Sequence, residues 1–195
     1  MKDVRLEAGQ SPAVSSETPR ALVVYESMFG NTEKVAAAVA RGLQLEGVDT
    51  GLVEVRSAPT RLSPDVDLLV VGAPTHGFSL SRASTREDAV RQGAPAERAG
   101  TGIREWLESV RFDGPARPLL ATFDTRVTQV RWLPKAAGPT AAKLGRRRGL
   151  TPAAKPIGFL VDAVRGPLVE EELERAVAWG RRIGVGCIDR AAVAG

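Results

Sequence analysis

A doubly wound α/β fold is predicted for this 195-residue chain, with five parallel strands covered by helices on both faces. Three observations predict it. Short apolar runs such as Leu68 to Val71 are unbroken by polar residues, as in strands buried on both faces. Stretches with helical spacing separate most of these runs, which calls for right-handed crossovers between parallel strands. The length favours one domain, and no internal repeat is present.

Residues 1–19 are rich in Ser, Pro, Glu and Ala without periodicity. They read as a disordered tail, dispensable for folding and ligand binding, ahead of a domain at 20–195. The first strand is Ala21 to Tyr25, followed by a polar loop from Glu26 to Asn31. Val35, Ala38, Val39, Gly42 and Leu43 then mark a helix, with Asn31 or Thr32 at its N-cap and Glu33 at the positive end of its dipole. Strands two and three are Gly51 to Val55 and Asp67 to Gly72. Pro74 to Arg86 reads as a loop, and the polar stretch on to Gly102 as irregular. Ile103, Trp106, Leu107 and Val110 place a helix before strand four, Pro118 to Phe123. A long loop from Asp124 to Gly138, a helix from Thr140 to Arg147 and strand five, Ile157 to Val161, follow. The last helix comes after Pro167, with glutamates at 170–172 in its first turn and Leu173, Ala176, Val177, Gly180 and Ile183 as its buried stripe.

Composition narrows the function. No apolar run approaches the ~18 residues of a membrane span, and residues 1–20 lack a secretory h-region. A single cysteine, Cys187, excludes an internal disulfide and any cluster of several thiolates, and a cytoplasmic protein without a metal site is expected. The net charge of +4 is unevenly spread. Arg126, Arg131, Lys135, Lys143, Arg146, Arg147, Arg148 and Lys155 fall in a stretch free of Asp and Glu. Such a stretch attracts acidic proteins or phosphorylated ligands, or is a solvated surface. It lacks the interleaved aromatics of single-strand binders, so nucleic acid is not expected as a partner.

In an open parallel sheet, ligands sit beyond the carboxyl ends of the strands. The loop after strand one runs straight into a helix N-terminus, where unpaired N–H groups and the dipole favour an anion. Ser27, Asn31 and Thr32 add side-chain donors, and Gly30 permits close backbone approach. The loop has no Lys and matches neither the P-loop nor G-x-G-x-x-G, so a monophosphate suits it better than a magnesium-bound triphosphate. A phosphoacceptor receiver domain is excluded, because Gly72 to Thr75 stands where strand three would need its Asp.

Tyr25-Glu26-Ser27-Met28-Phe29-Gly30-Asn31-Thr32-Glu33 resembles the phosphate motif of the flavodoxin family, Y-G-S-T-T-G-N-T-E. Gly72-Ala73-Pro74-Thr75-His76-Gly77 is similar to that family's G-x-S-T-W-G. The resemblance spans about residues 21–184 and is to the short-chain form. It implies the flavodoxin-like strand order 2-1-3-4-5, FMN as cofactor, redox proteins as partners, and no catalytic side chain. It further implies that Ser27, Met28, Phe29, Gly30, Asn31 and Thr32 hold the phosphate. Pro74, Thr75, His76 and Gly77 would line one side of the ring. Phe123, Asp124 and Thr125 would meet its polar edge through the backbone, with Trp132 stacking on it or pinning its own loop.

Four features depart from the family. Met28 and Phe29 replace two threonines, Glu26 replaces a glycine, His76 replaces a stacking Trp, and the stretch after strand four is basic. Two alternatives therefore stay open. One is an NAD(P)H- or quinone-dependent FMN oxidoreductase, with Arg82, Arg86 or Arg126 attracting a nucleotide phosphate. The other is a degenerate relative that binds only proteins. His76, with an ordinary pKa near 6.5, is expected to change charge near physiological pH beside the ring.

Overall fold

The computed structural model describes residues 18–132 and 135–194. Most of the expected tail lies outside that range, but Pro19 does not: its carbonyl accepts the Asp49 N–H at 2.9 Å. The central sheet is parallel. Strands β1 (Arg20–Tyr25), β2 (Asp49–Glu54), β4 (Leu68–Pro74), β6 (Leu119–Val127) and β8 (Ile157–Val161) correspond to the five expected runs. They stand in the order β2-β1-β4-β6-β8, the expected 2-1-3-4-5. A two-residue strand β7 (Thr151–Pro152) pairs beside the start of β6. A separate short ladder joins β3 (Arg61–Leu62) to β5 (Arg111–Phe112).

Alternating side chains divide the core in two. On one face Val23, Val70, Ala121, Phe123 and Phe159 meet Val35 and Val39 of α1 (Asn31–Leu45) and Trp179 and Ile183 of α5 (Glu172–Ala194). On the other, Val24, Leu69 and Val71 meet Trp106 of α3 (Ile103–Ser109) and Ala141 of α4 (Ala137–Arg147). Phe123, Phe159 and Trp179 form an edge-to-face trio with centroids 5.9–6.4 Å apart. Gly72 makes room for it, since a Cβ there would lie 2.0 Å from the Phe123 ring. Among the described residues no helix is long and apolar enough to cross a membrane.

Three expectations need correction. The stretch between Pro74 and Gly102 contains α2 (Ala83–Arg91) and a 3-10 turn, Ala96–Ala99. Its apolar stripe is too thin to announce a helix. Thr85 caps α2, accepting the Arg82 N–H at 2.9 Å, and Met28 and Phe29 pack on Ala89, Val90 and Ala94. Next, β6 runs on to Val127, so Asp124 and Thr125 are paired strand residues rather than loop. Finally, the basic stretch is not one face. Arg126 closes β6 near the carboxyl end, whereas Arg146, Arg147 and Arg148 end α4 beside the sheet's opposite edge, where β7 pairs with Leu119 and Leu120. Eight residue steps of extended chain put those two edges roughly 26 Å apart.

Candidate functional site

The loop after β1 builds the site. Gly30, at φ 87°, is the N-cap of α1, a backbone conformation that disfavours residues with a Cβ. Asn31 and Thr32 are therefore the first helical residues rather than the cap. Lys34 is the first N–H to bond back, to the Gly30 carbonyl at 3.1 Å. The N–H groups of Asn31, Thr32 and Glu33 precede it and have no carbonyl in the helix to bond. The Ser27 hydroxyl accepts the Gly30 N–H at 3.1 Å and braces the turn. Thr32 and Thr125 share a hydroxyl hydrogen bond of 2.8 Å, tying the loop to β6.

Above this loop lies a cleft of about 140 Å³. Of the expected site residues, Ser27, Met28, Phe29, Asn31, Thr32, Pro74, Thr75, His76 and Thr125 line it. Gly77 lines a neighbouring cavity of about 270 Å³ that shares Phe29, Thr75 and His76 with the first. Phe123 and Asp124 do not reach the cleft. Phe123 is core, and the Asp124 carboxylate caps α4 through the Gly138 N–H at 3.1 Å. The Thr125 carbonyl accepts the Thr75 N–H at 2.9 Å, which ties β6 to the residue after β4. Trp132 is 75% exposed and lines neither cavity.

Arg126, expected from the sequence only as a cation attracting a nucleotide phosphate in an oxidoreductase, lines the cleft itself. It holds Asp124 in a two-pronged ion pair at 2.6 Å on each arm. Burial pushes the Asp124 carboxyl up, against the opposing pull of Arg126, the Gly138 N–H and Thr75. The i, i+2 spacing of the pair would have disclosed it had β6 been extended by four residues. Arg98 was invisible to any local pattern. From the 3-10 turn it donates to the Ser27 carbonyl at 3.0 Å and to Glu33 at 3.1 Å, bringing a cation against a lysine-free loop.

His76 and Ser79 bridge each other across Gly77 and Phe78, both at positive φ. Burial holds the His76 imidazole below its ordinary pKa; Arg86 adds to this and a bond to the Thr85 backbone opposes it. The side chain is therefore neutral at neutral pH, and its charge change moves to more acid solution than expected. Burial likewise lifts the Cys187 thiol, to about 11, which keeps it protonated and inert.

Glu26, just ahead of the loop, is almost fully buried. Its Oε2 accepts the Ile103 N–H at 2.9 Å, while Oε1 has no partner. Burial raises its pKa, opposed by Ser81, the Ile103 N–H and Arg86. A carboxyl raised on folding favours the protonated fold, so the penalty appears as pH climbs from the unfolded value toward the folded one. Glu26→Gln is accordingly expected to raise Tm at pH 8 and to match the parent below about pH 4, since the two differ only where Glu26 ionises. A parent more stable than the variant at pH 8 would contradict this.

Comparison with known proteins agrees with this architecture. The family model for flavodoxin matches residues 23–150. An archaeal flavodoxin superposes with a TM-score of 0.59 at 18% identity, over 86% of this chain and 98% of that one. A flavodoxin from Streptococcus pneumoniae TIGR4 gives 0.57 at 19%, over 85% and 98%. The flavodiiron protein of Giardia intestinalis gives 0.57 at 20%, over 89% of this chain but only 37% of its own. With the family model covering well over half of its length, the chain belongs to the flavodoxin family.

Proposed function

We propose that the protein binds FMN in the cleft above the β1–α1 loop and carries electrons between cytoplasmic redox partners. The loop carries this reading: unpaired N–H groups at the start of a 15-residue helix, flanked by Ser27, Asn31 and Thr32, suit a phosphomonoester. The residues present fit that group. Met28 and Phe29 withdraw two hydroxyls relative to the family, but Met28 is 2% exposed and packs with Phe29 on α2 and Ala94, so their exchange serves packing and leaves the donor set in place. This supports a working cofactor site over a degenerate one. Bound FMN would supply the redox chemistry, and the protein its orientation and electrostatics. Thr75 and His76 would face it from the segment after β4, and Arg126 from β6.

Exposed Arg131 and Lys135, in the stretch after β6, favour an acidic redox partner. Electron exchange between the FMN-loaded protein and an acidic ferredoxin is expected to slow several-fold between about 0.05 and 0.5 M salt as screening shortens the reach of these charges. Rates independent of salt in a stopped-flow series would contradict it.

The neighbouring cavity supports a second reading, an oxidoreductase with room for a second planar substrate such as a nicotinamide or quinone. Of the cations suited to a nucleotide phosphate, Arg86 is buried with Glu105 and Arg126 is bound to Asp124, which leaves the exposed Arg82. Flavin-dependent NADPH oxidation with a quinone acceptor would favour the enzyme, and its absence the carrier.

A further inference from the structure

The large exposed apolar residues of the described chain fall mainly into two groups. Phe78, Trp132 and Val164 sit on loops after β4, β6 and β8, at the end of the sheet that holds the cleft. Leu45 and Leu173, 57% and 40% exposed, lie instead at the two ends of a groove of about 730 Å³ between α1 and α5, so Leu173 is not part of the buried stripe that its helical spacing predicts. The proposed cofactor chemistry makes no use of that groove.

Its shape follows from glycine. A Cβ on Gly42 would lie 2.3 Å from the Val177 carbonyl, and one on Gly180 would lie 2.3 Å from that of Val39. The two helices thus touch backbone to backbone. The side chains flanking this seam, Ala37, Ala38 and Ala178, are too short to fill the channel above it. From Lys34 to Leu45 the channel runs about 16 Å, three turns of helix.

Its charge selects the occupant. Lys34, Arg41 and Arg181 border the apolar floor, against Glu174 alone among the lining acids. Arg181 also pairs with Glu46 on the rim. A second copy seated here would set like cations against one another, which disfavours self-association. An acidic helix would not meet that penalty. We infer that this groove docks an acidic amphipathic helix of a partner protein, with apolar side chains at i, i+4 and i+7 on the alanine floor and carboxylates toward Lys34 and Arg41. The groove shares no lining residue with the cleft, and docking there is independent of the cofactor reading.

The test uses the full chain labelled with ¹⁵N and a capped acidic peptide of about four helical turns, with leucines at i, i+4 and i+7. Amide shifts confined to α1 and α5 are expected. Arg41→Glu should weaken peptide binding at least tenfold while FMN affinity is unchanged. A peptide with glutamines for the leucines should bind at least tenfold more weakly. The proposal is overturned by an absence of shifts up to about 1 mM peptide, by equal binding of the two peptides, or by a dimer in sedimentation that Leu173→Glu dissolves.

Discussion

Replacing Ser27 with aspartate is expected to weaken FMN binding by a factor of about 10² or more while leaving riboflavin binding within a few-fold of the parent. Ser27 is almost fully buried, and its hydroxyl accepts the Gly30 N–H. A carboxylate can accept the same bond, so the turn is retained. What changes is charge. Two unit charges 4 Å apart interact by about 4 kcal/mol at an effective dielectric of 20, and even part of that repulsion against a phosphate dianion exceeds the ~2.7 kcal/mol of a hundredfold loss. Flavin fluorescence titrations of both ligands measure it. Parallel losses for FMN and riboflavin would mean that the turn had collapsed; no loss for either would place the phosphate elsewhere.

The second large effect is structural. Arg86 is 3% exposed and donates to Ser81 at 2.9 Å and to both oxygens of Glu105 at 3.3 Å, with buried Glu26 beside it. Gly102 lets these groups converge, since its missing Cβ would stand 2.5 Å from the guanidinium and 2.8 Å from Glu26. Removing Arg86 leaves Glu105 without its cation and Ser81 without its donor, and breaking a buried ion pair in this way costs about 3–5 kcal/mol. The lower end applies here because the Glu105 side chain is 41% exposed and partly solvated. Arg86→Ala should therefore lower stability by about 3 kcal/mol and Tm by about 6–12 °C in a domain of this size. Denaturant unfolding that differs from the parent by less than about 0.5 kcal/mol would contradict the assigned role.

The parts legible in the sequence were the local ones. The β1–α1 loop could be read because strand, turn and helix start are contiguous, and each residue type there has a short-range reason. The five core strands were legible because a parallel sheet covered on both faces demands unbroken apolar runs. What escaped depends on distant partners. No pattern in Ala83–Arg91 announces a helix, because what holds α2 in place is Met28 and Phe29, more than 50 residues earlier. The same packing explains why hydrophobes occupy two family threonine positions. Arg98 and Glu26 owe their roles to contacts spanning 71 and 77 residues. The end of β6 was misplaced because Asp124 and Arg126 are charged. Strand propensity yields there to an ion pair that neutralises both, with Gly158 leaving room for the guanidinium. The basic stretch looked continuous only in one dimension, since α4 carries its second half to the far edge of the sheet.

The central claim is that the β1–α1 loop holds the phosphate of FMN. The most direct measurement is a side-by-side titration of the parent protein with FMN and riboflavin, which share the ring and differ in the phosphate. FMN binding at least tenfold tighter than riboflavin is expected, a difference of about 1.4 kcal/mol, with a visible flavin spectrum retained by the protein through gel filtration. Equal affinities for the two ligands, or no binding of either, would contradict it.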